Sequence, residues 1–84
     1  LGRLREGLRA DLALARACPG DPTVLYNLAC SLSLLGRSQP ALKALERAIE
    51  CGYDDLEHLL ADRDLAALQG QPGFAALLER LRRG

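Results

Sequence analysis

The sequence predicts an all-α fold of stacked helix pairs, and three observations lead to this prediction. Leu and Ala supply most of the apolar content, whereas β-branched residues occur only at Thr23, Val24 and Ile49. Leu and Ala favour helices, while strands draw on β-branched and aromatic residues. Apolar residues recur at helical spacing, and glycines return at a fixed interval. For a chain of 84 residues, we expect one domain of five or six helices.

The glycines mark a repeat with a period of 34 residues. Leu1-Gly2-Arg3 recurs as Leu35-Gly36-Arg37, and Gly70 lies the same distance further along. This period is typical of a helix-turn-helix repeat. Because an isolated helix of roughly 10–15 residues is marginal in water, we expect the helices to pack as antiparallel neighbours across short connections.

Local signals place the ends of the first three helices. The helices are expected from about Leu4 to Ala17, ended by Pro19-Gly20; from Pro22, capped by Asp21, to about Leu35, ended by Gly36; and from Gln39, capped by Ser38, to about Cys51, ended by Gly52. Asp and Ser are common N-caps, proline is favoured at the first helical position, and glycine supplies a left-handed stop. The first helix carries Leu4, Leu8, Leu12 and Ala15 on one face.

The C-terminal third predicts less regular helices. Asp54 and Glu57 resemble a capping box that opens a short fourth helix. We expect this helix to break near Asp62-Arg63-Asp64, followed by a further turn at Leu65–Leu68. After the turn Gly70–Gly73, a last helix carries an apolar stripe at helical spacing. The stripe consists of Phe74, Leu77, Leu78 and Leu81.

Several of these segments resemble the tetratricopeptide repeat family. The strongest likeness lies in Tyr26-Asn27-Leu28-Ala29-Cys30, Leu34-Leu35-Gly36-Arg37, Ala41-Leu42 and Ala48-Ile49-Glu50. The resemblance divides the chain into the second helix of a divergent repeat (1–19), one complete repeat (20–52) and an irregular closing unit (53–84). It implies a short right-handed superhelix with a concave face that binds proteins or peptides. Two departures are Asp11, where the next repeat has Leu45, and Gln71, where the family usually has Asp.

The resemblance also implies that the first helix of each pair lines the concave face. The groove residues expected on this basis are Thr23, Tyr26, Asn27, Cys30 and Ser33, with Glu57 and Leu60 from the closing unit. In similar repeats an asparagine at the Asn27 position bonds the backbone of an extended peptide, since its amide both donates and accepts. The alternative is that Asn27 caps local polar groups or meets water. A carboxylate clamp is not expected, because the helix from Pro22 to Leu35 has no Lys or Arg.

Charge and motifs argue against several other functions. Eleven acids balance eleven bases, so no basic field attracts nucleic acid. Glu46–Asp64 is nonetheless acidic, and Leu1–Gly20 is basic. No apolar run approaches the roughly 18 residues that span a bilayer, so no membrane partner is expected. The first residue is Leu1, so we expect the chain to be a piece of a longer protein.

The cysteines and histidine do not predict an enzyme. Cys18, Cys30 and Cys51 lack the spacing of a zinc site or disulfide framework, so reduced thiols and a cytoplasmic location are expected. Cys30 is interpreted as a small buried apolar residue and His58 as a surface histidine beside acids. Asp54 and Asp62 are interpreted as helix caps, since no EF-hand loop or other catalytic or metal motif occurs. We therefore expect no catalysis, cofactor or metal.

A purely structural role is the alternative to partner binding. The C-terminal third is typical of a terminal unit whose polar face seals a helical array. The apolar side of Leu4–Ala17 would then pack against an upstream helix or a second copy. Self-association through this helix is the second hypothesis.

Overall fold

The chain folds into helices throughout the part that the structure describes. This computed structural model describes the backbone of residues 2–83 and the side chains of residues 5–83. Over residues 2–83 there are five α-helices, one 3₁₀ helix and no strand, which confirms the all-α prediction. They are α1 (Gly2–Ala17), α2 (Pro22–Leu34), α3 (Ser38–Glu50), α4 (Leu56–Ala61), the 3₁₀ helix (Arg63–Leu68) and α5 (Pro72–Arg83). The predicted place of Leu4 in the first apolar face lies outside the described side chains.

Helix starts return at the predicted period in the second half of the chain. Pro22 and Leu56, which begin α2 and α4, lie 34 residues apart, as do Ser38 and Pro72, which begin α3 and α5. Three residues separate α2 from α3, and a connection this short makes the two helices antiparallel neighbours. The regular spacing of apolar residues and turns therefore gives a helix-pair arrangement.

Two glycines end helices as predicted. Gly36 and Gly52 have φ of 77° and 115°, a region that side chains with a Cβ rarely adopt. After α2 the amide of Arg37 donates to the carbonyl of Leu32 at 2.9 Å, and after α3 the amide of Tyr53 donates to Ala48 at 2.9 Å. Both turns pair otherwise free carbonyls at the helix ends and turn the chain sharply.

Of the predicted caps, some are confirmed and two are wrong. Asp21 accepts from the amides of Thr23 and Val24, at 2.9 and 3.3 Å, and so caps α2. Ser38 does not cap α3 but is its first residue, and the N-cap is Arg37, whose side chain makes no cap bond. The predicted cap Asp54 is also wrong, because Asp55 caps α4.

The core lies mainly between α2 and α3. Ala29, Ala41 and Ala48 have no exposed surface, and Leu45 is fully buried beside them. Small side chains let two helices approach closely, while leucine fills the space between them. The α2–α3 hairpin is therefore the central packed unit.

The C-terminal helices cover both sides of this hairpin. The 3₁₀ helix packs on α2, and α5 packs on α3. The break predicted near Asp62 is present, since α4 ends at Ala61 and the 3₁₀ helix begins at Arg63. The core residues supplied by this region are Leu59, Leu65, Leu68, Phe74 and Leu77, with Leu78 and Leu81 partly buried.

α1 packs on α2 but leaves part of its apolar surface open. Leu8 is buried, whereas Leu12 and Leu14 are 38% and 50% exposed. The hydroxyl of Ser31 on α2 donates a hydrogen bond to the Asp11 carboxylate. This polar contact explains how Asp11 is accommodated where the next repeat carries the buried Leu45.

Candidate peptide-binding site

An open cavity of about 760 Å³ lies between α2 and the segment Tyr53–Asp64. We call it the Tyr26 cavity. It is lined by Thr23, Tyr26, Asn27, Cys30, Tyr53, Asp55, His58, Ala61, Asp62, Arg63 and Asp64. Its size falls in the range of binding sites for ligands of small-molecule or side-chain dimensions.

Four of the seven predicted groove residues line this cavity, and three do not. Thr23, Tyr26, Asn27 and Cys30 lie at helical spacing along one face of α2 and come together in the wall. Ser33 is buried instead, and its hydroxyl has no hydrogen-bond partner among the described residues. Glu57 and Leu60 are exposed but do not line the cavity.

The difference at α4 has a physical cause in where that helix begins. Asp55 accepts from the amide of His58 at 3.0 Å and caps α4, whose first residue is Leu56. With this start, His58 and Ala61, rather than Glu57 and Leu60, are the α4 residues in the cavity wall. A helix presents a different face for each one-residue change in register.

Asp62 is the centre of the polar network. Its Oδ2 accepts from the Tyr26 hydroxyl at 2.6 Å and from the Cys30 Sγ at 3.6 Å, and it lies 3.6 Å from His58 Nε2. Its Oδ1 accepts from the amide of Asp64 at 2.9 Å, which confirms the predicted cap at the break. One carboxylate thus joins α2, α4 and the 3₁₀ helix.

These contacts change the acidity of the groups involved. Burial by itself raises the pKa of Asp62, but the bonds from Tyr26, the Asp64 amide and Cys30, with the nearby His58, hold its pKa below the ordinary value. Burial raises the pKa of the Cys30 thiol to about 12, and repulsion by Asp62 and Asp64 acts in the same direction. Burial, followed by the bond to Asp62, raises the pKa of Tyr26. Near neutral pH, Asp62 is therefore ionised, while Tyr26 and Cys30 keep their protons.

Two tyrosines form the aromatic part of the wall. The rings of Tyr26 and Tyr53 stack with centroids 4.5 Å apart and planes 15° apart, and the His58 ring lies 5.5 Å from Tyr26. The Tyr53 hydroxyl donates to the carbonyl of Asp55 at 3.1 Å. Stacked rings with bonded hydroxyls give a rigid surface that is apolar on its face.

The sequence interpretation missed Tyr53 and the wider role of Asp62. One signal was present for Tyr53, because an apolar residue directly after a helix-ending glycine often packs back on the helix. For Asp62, the signal was indirect, since a buried tyrosine needs a partner for its hydroxyl. Which acid supplies that partner depends on how the chain turns after α4.

Cys30, Asp62 and Asp64 also have potential metal-ligand atoms within 4.8 Å of one another. Two of the three already share a hydrogen bond, and a thiol with a raised pKa is a poor ligand until it loses its proton. The arrangement is fully explained as a hydrogen-bonded cluster, so we assign no metal to it. His58 pairs with Asp62 at the surface, as expected.

Comparison with known proteins gives one relative at moderate identity. The chain is 40% identical over 82 residues to a protein of Arabidopsis thaliana whose name describes it as chloroplastic, a match covering 94% of this chain. The chain spans about a quarter of that protein's length, since the match covers 24% of it. No protein-family model matches the chain, and no solved structure matches it significantly. Within residues 2–83, no helix is long and apolar enough to cross a membrane.

Proposed function

We propose that this chain is a tetratricopeptide-type interaction module that binds an extended segment of a partner protein in the Tyr26 cavity. The observation that carries the proposal is the open cavity on α2, with Asn27 exposed in its wall. The side-chain amide of Asn27 makes no hydrogen bond to any residue whose side chain is described. It is therefore available to pair with both the N–H and the C=O of a bound backbone.

Three features support this proposal. Helix starts that return every 34 residues agree with the repeat length of the family that the sequence resembles. The Tyr26 and Asp62 side chains fix the cavity wall, so a ligand would meet a largely preformed surface. The raised pKa of Cys30 and the pairing of His58 with Asp62 leave no activated nucleophile in the wall, which favours binding over catalysis.

The test compares Asn27→Ala with the control Gln39→Ala, which removes an exposed amide from α3 outside the cavity. Wild-type chain is first assayed by fluorescence anisotropy against a library of labelled nine-residue peptides. For the peptides it selects, we expect Asn27→Ala to weaken binding roughly tenfold, because two peptide hydrogen bonds are lost. Its urea midpoint should stay within error of wild type. Normal binding by Asn27→Ala, or its unfolding, would contradict the proposed role of Asn27.

Self-association is the second candidate, and the surface of α1 favours it. Leu12 and Leu14 are both more than one-third exposed, and an open apolar surface can pack against a second copy. Sedimentation velocity over a concentration series distinguishes the candidates. A monomer supports the cavity proposal, whereas a dimer that dissociates on Leu14→Glu supports the structural role.

The location of the parent protein also has two candidates. A cytoplasmic location is the prediction from the thiols, whereas the name of the relative assigns that protein to the chloroplast. The relative supports a chloroplast location for this chain as the competing proposal. Imaging of a fluorescent fusion to the full-length parent protein would decide between them.

A further inference from the structure

We infer that the Tyr26 cavity selects a basic side chain, Lys or Arg, in the bound segment of the partner. This inference rests on the proposed peptide binding and goes further by naming the chemistry of the ligand. It is carried by the coincidence of a cavity, an excess of negative charge and an aromatic surface at one place.

The charge balance of the wall favours a cation. Asp55, Asp62 and Asp64 contribute three carboxylates, against the single guanidinium of Arg63. Over the described side chains, no ion pair joins Asp55 or Asp64 to a cationic residue. A concave surface with one sign of charge concentrates ligands of the opposite sign. An acidic peptide would instead meet uncompensated repulsion.

The shape of the wall favours a long side chain with a charged end. The stacked rings of Tyr26 and Tyr53 lie in the same cavity as the carboxylates. The methylene groups of Lys or Arg pack well on apolar surface while the charged end reaches a polar partner. A cation near an aromatic face gains further attraction. Asn27, on the α2 side, would hold the backbone of the same segment.

The carboxylates differ in what they can offer. Both oxygens of Asp62 already accept hydrogen bonds, and they fix its position. Asp64 is exposed at the start of the 3₁₀ helix and uses only its backbone amide in the network. Asp55 uses one oxygen as a cap. Asp55 and Asp64 are therefore the direct contacts for a cation, and Asp62 is a positioning residue.

The experiment uses the same nine-residue peptide library, with one position fixed in turn as Lys, Arg, Glu, Leu or Ser. We expect the selected peptides to carry Lys or Arg at one position. Replacing that Lys by acetyl-lysine, which retains the side chain but removes its charge, should weaken binding roughly tenfold. Affinity should also fall when NaCl is raised from about 50 mM to about 500 mM.

A double variant and a matched control locate the effect. Asp55→Asn with Asp64→Asn removes two negative charges from the cavity, and asparagine preserves the α4 cap. Glu6→Gln with Glu79→Gln removes two charges at exposed sites outside it. We expect the cavity pair to weaken binding of the Lys peptide roughly tenfold and the control pair less than about twofold. Circular dichroism and the urea midpoint establish that both variants are folded.

The outcomes separate this inference from the proposed function. Selection of acidic or apolar peptides that depend on Asn27 would overturn the basic preference while leaving peptide binding intact. Equal losses in the cavity and control variants would also overturn it, because the attraction would then be a general effect of net charge. Failure of every peptide class to bind would overturn the proposed function and this inference together.

Discussion

The α2–α3 hairpin and the segment from α4 to the 3₁₀ helix differ in how their helices are stabilised. The hairpin pairs two helices of 13 residues each, whereas α4 and the 3₁₀ helix have six residues each. A helix leaves its first four N–H and last four C=O groups without internal partners, so a six-residue helix has hardly any internal bonds. Side chains must supply the missing partners, and Asp55 and Asp62 do so.

The difference shows how the cavity arises. In the hairpin, apolar contacts between alanines and leucines set the helix positions, and few polar groups are needed. In the C-terminal segment, the carboxylates that complete the short helices also face α2 and line the Tyr26 cavity. The acidity of the candidate site is therefore linked to the irregular structure of that segment.

Loss of packing in the hairpin core should have the strongest effect on stability. Leu45→Ala should lower the free energy of unfolding by about 3 kcal/mol, because it leaves a cavity at a fully buried site. The control Leu34→Ala, at a position 47% exposed, should cost less than about 1 kcal/mol. Urea denaturation followed by circular dichroism measures both. A similar cost at both sites would show that the hairpin is not the main source of stability.

Asp62→Ala should have the next strongest effect. It removes the acceptor of the buried Tyr26 hydroxyl and the cap of the 3₁₀ helix, at a cost of about 2 kcal/mol. Asp54→Ala is the control, because Asp54 is exposed and its side chain makes no bond with the described residues. A cost for Asp62→Ala above that of Leu45→Ala would reverse the comparison between the two regions.

The cap of α4 gives a smaller effect. Asp55→Ala should cost about 1 kcal/mol through loss of the bond from the His58 amide. Asp54→Ala should change the free energy of unfolding by less than about 0.5 kcal/mol, as is usual at exposed sites. Urea midpoints of the two neighbouring variants are the measurement. Equal losses would restore the capping role that the sequence suggested for Asp54.

The weakest effect should be a pH dependence from Asp62. Its pKa is lower in the folded chain than its ordinary value of 3.8, so its ionised form stabilises the fold above that value. This contribution is lost as the pH falls through the folded pKa. The urea midpoint of wild type should therefore drop more between pH 6 and pH 3 than that of Asp62→Asn. An unchanged difference between the two proteins across this range would contradict the role assigned to the ionised carboxylate.

Part of the candidate site could be predicted because it lies on a single helix. Thr23, Tyr26, Asn27 and Cys30 share one face of α2 by spacing alone, and the sequence places them together. Glu57 and Leu60 were assigned to the groove by repeat position, which depends on the starting residue of α4. With two acids in succession at Asp54 and Asp55, the local sequence does not decide which one begins the helix.

The helical class, the 34-residue spacing and the turns at Gly36 and Gly52 could all be derived from the amino-acid sequence. These features depend on local properties: helix propensity, the period of apolar residues and the freedom of glycine at positive φ. The folded chain was needed to show that Asp62, 36 residues from Tyr26, accepts its hydroxyl, and that Tyr53 stacks on the same ring. Such contacts depend on where the chain lies after it turns at α4. That path is set by the burial of Leu65 and Leu68 under the 3₁₀ helix rather than by any local signal.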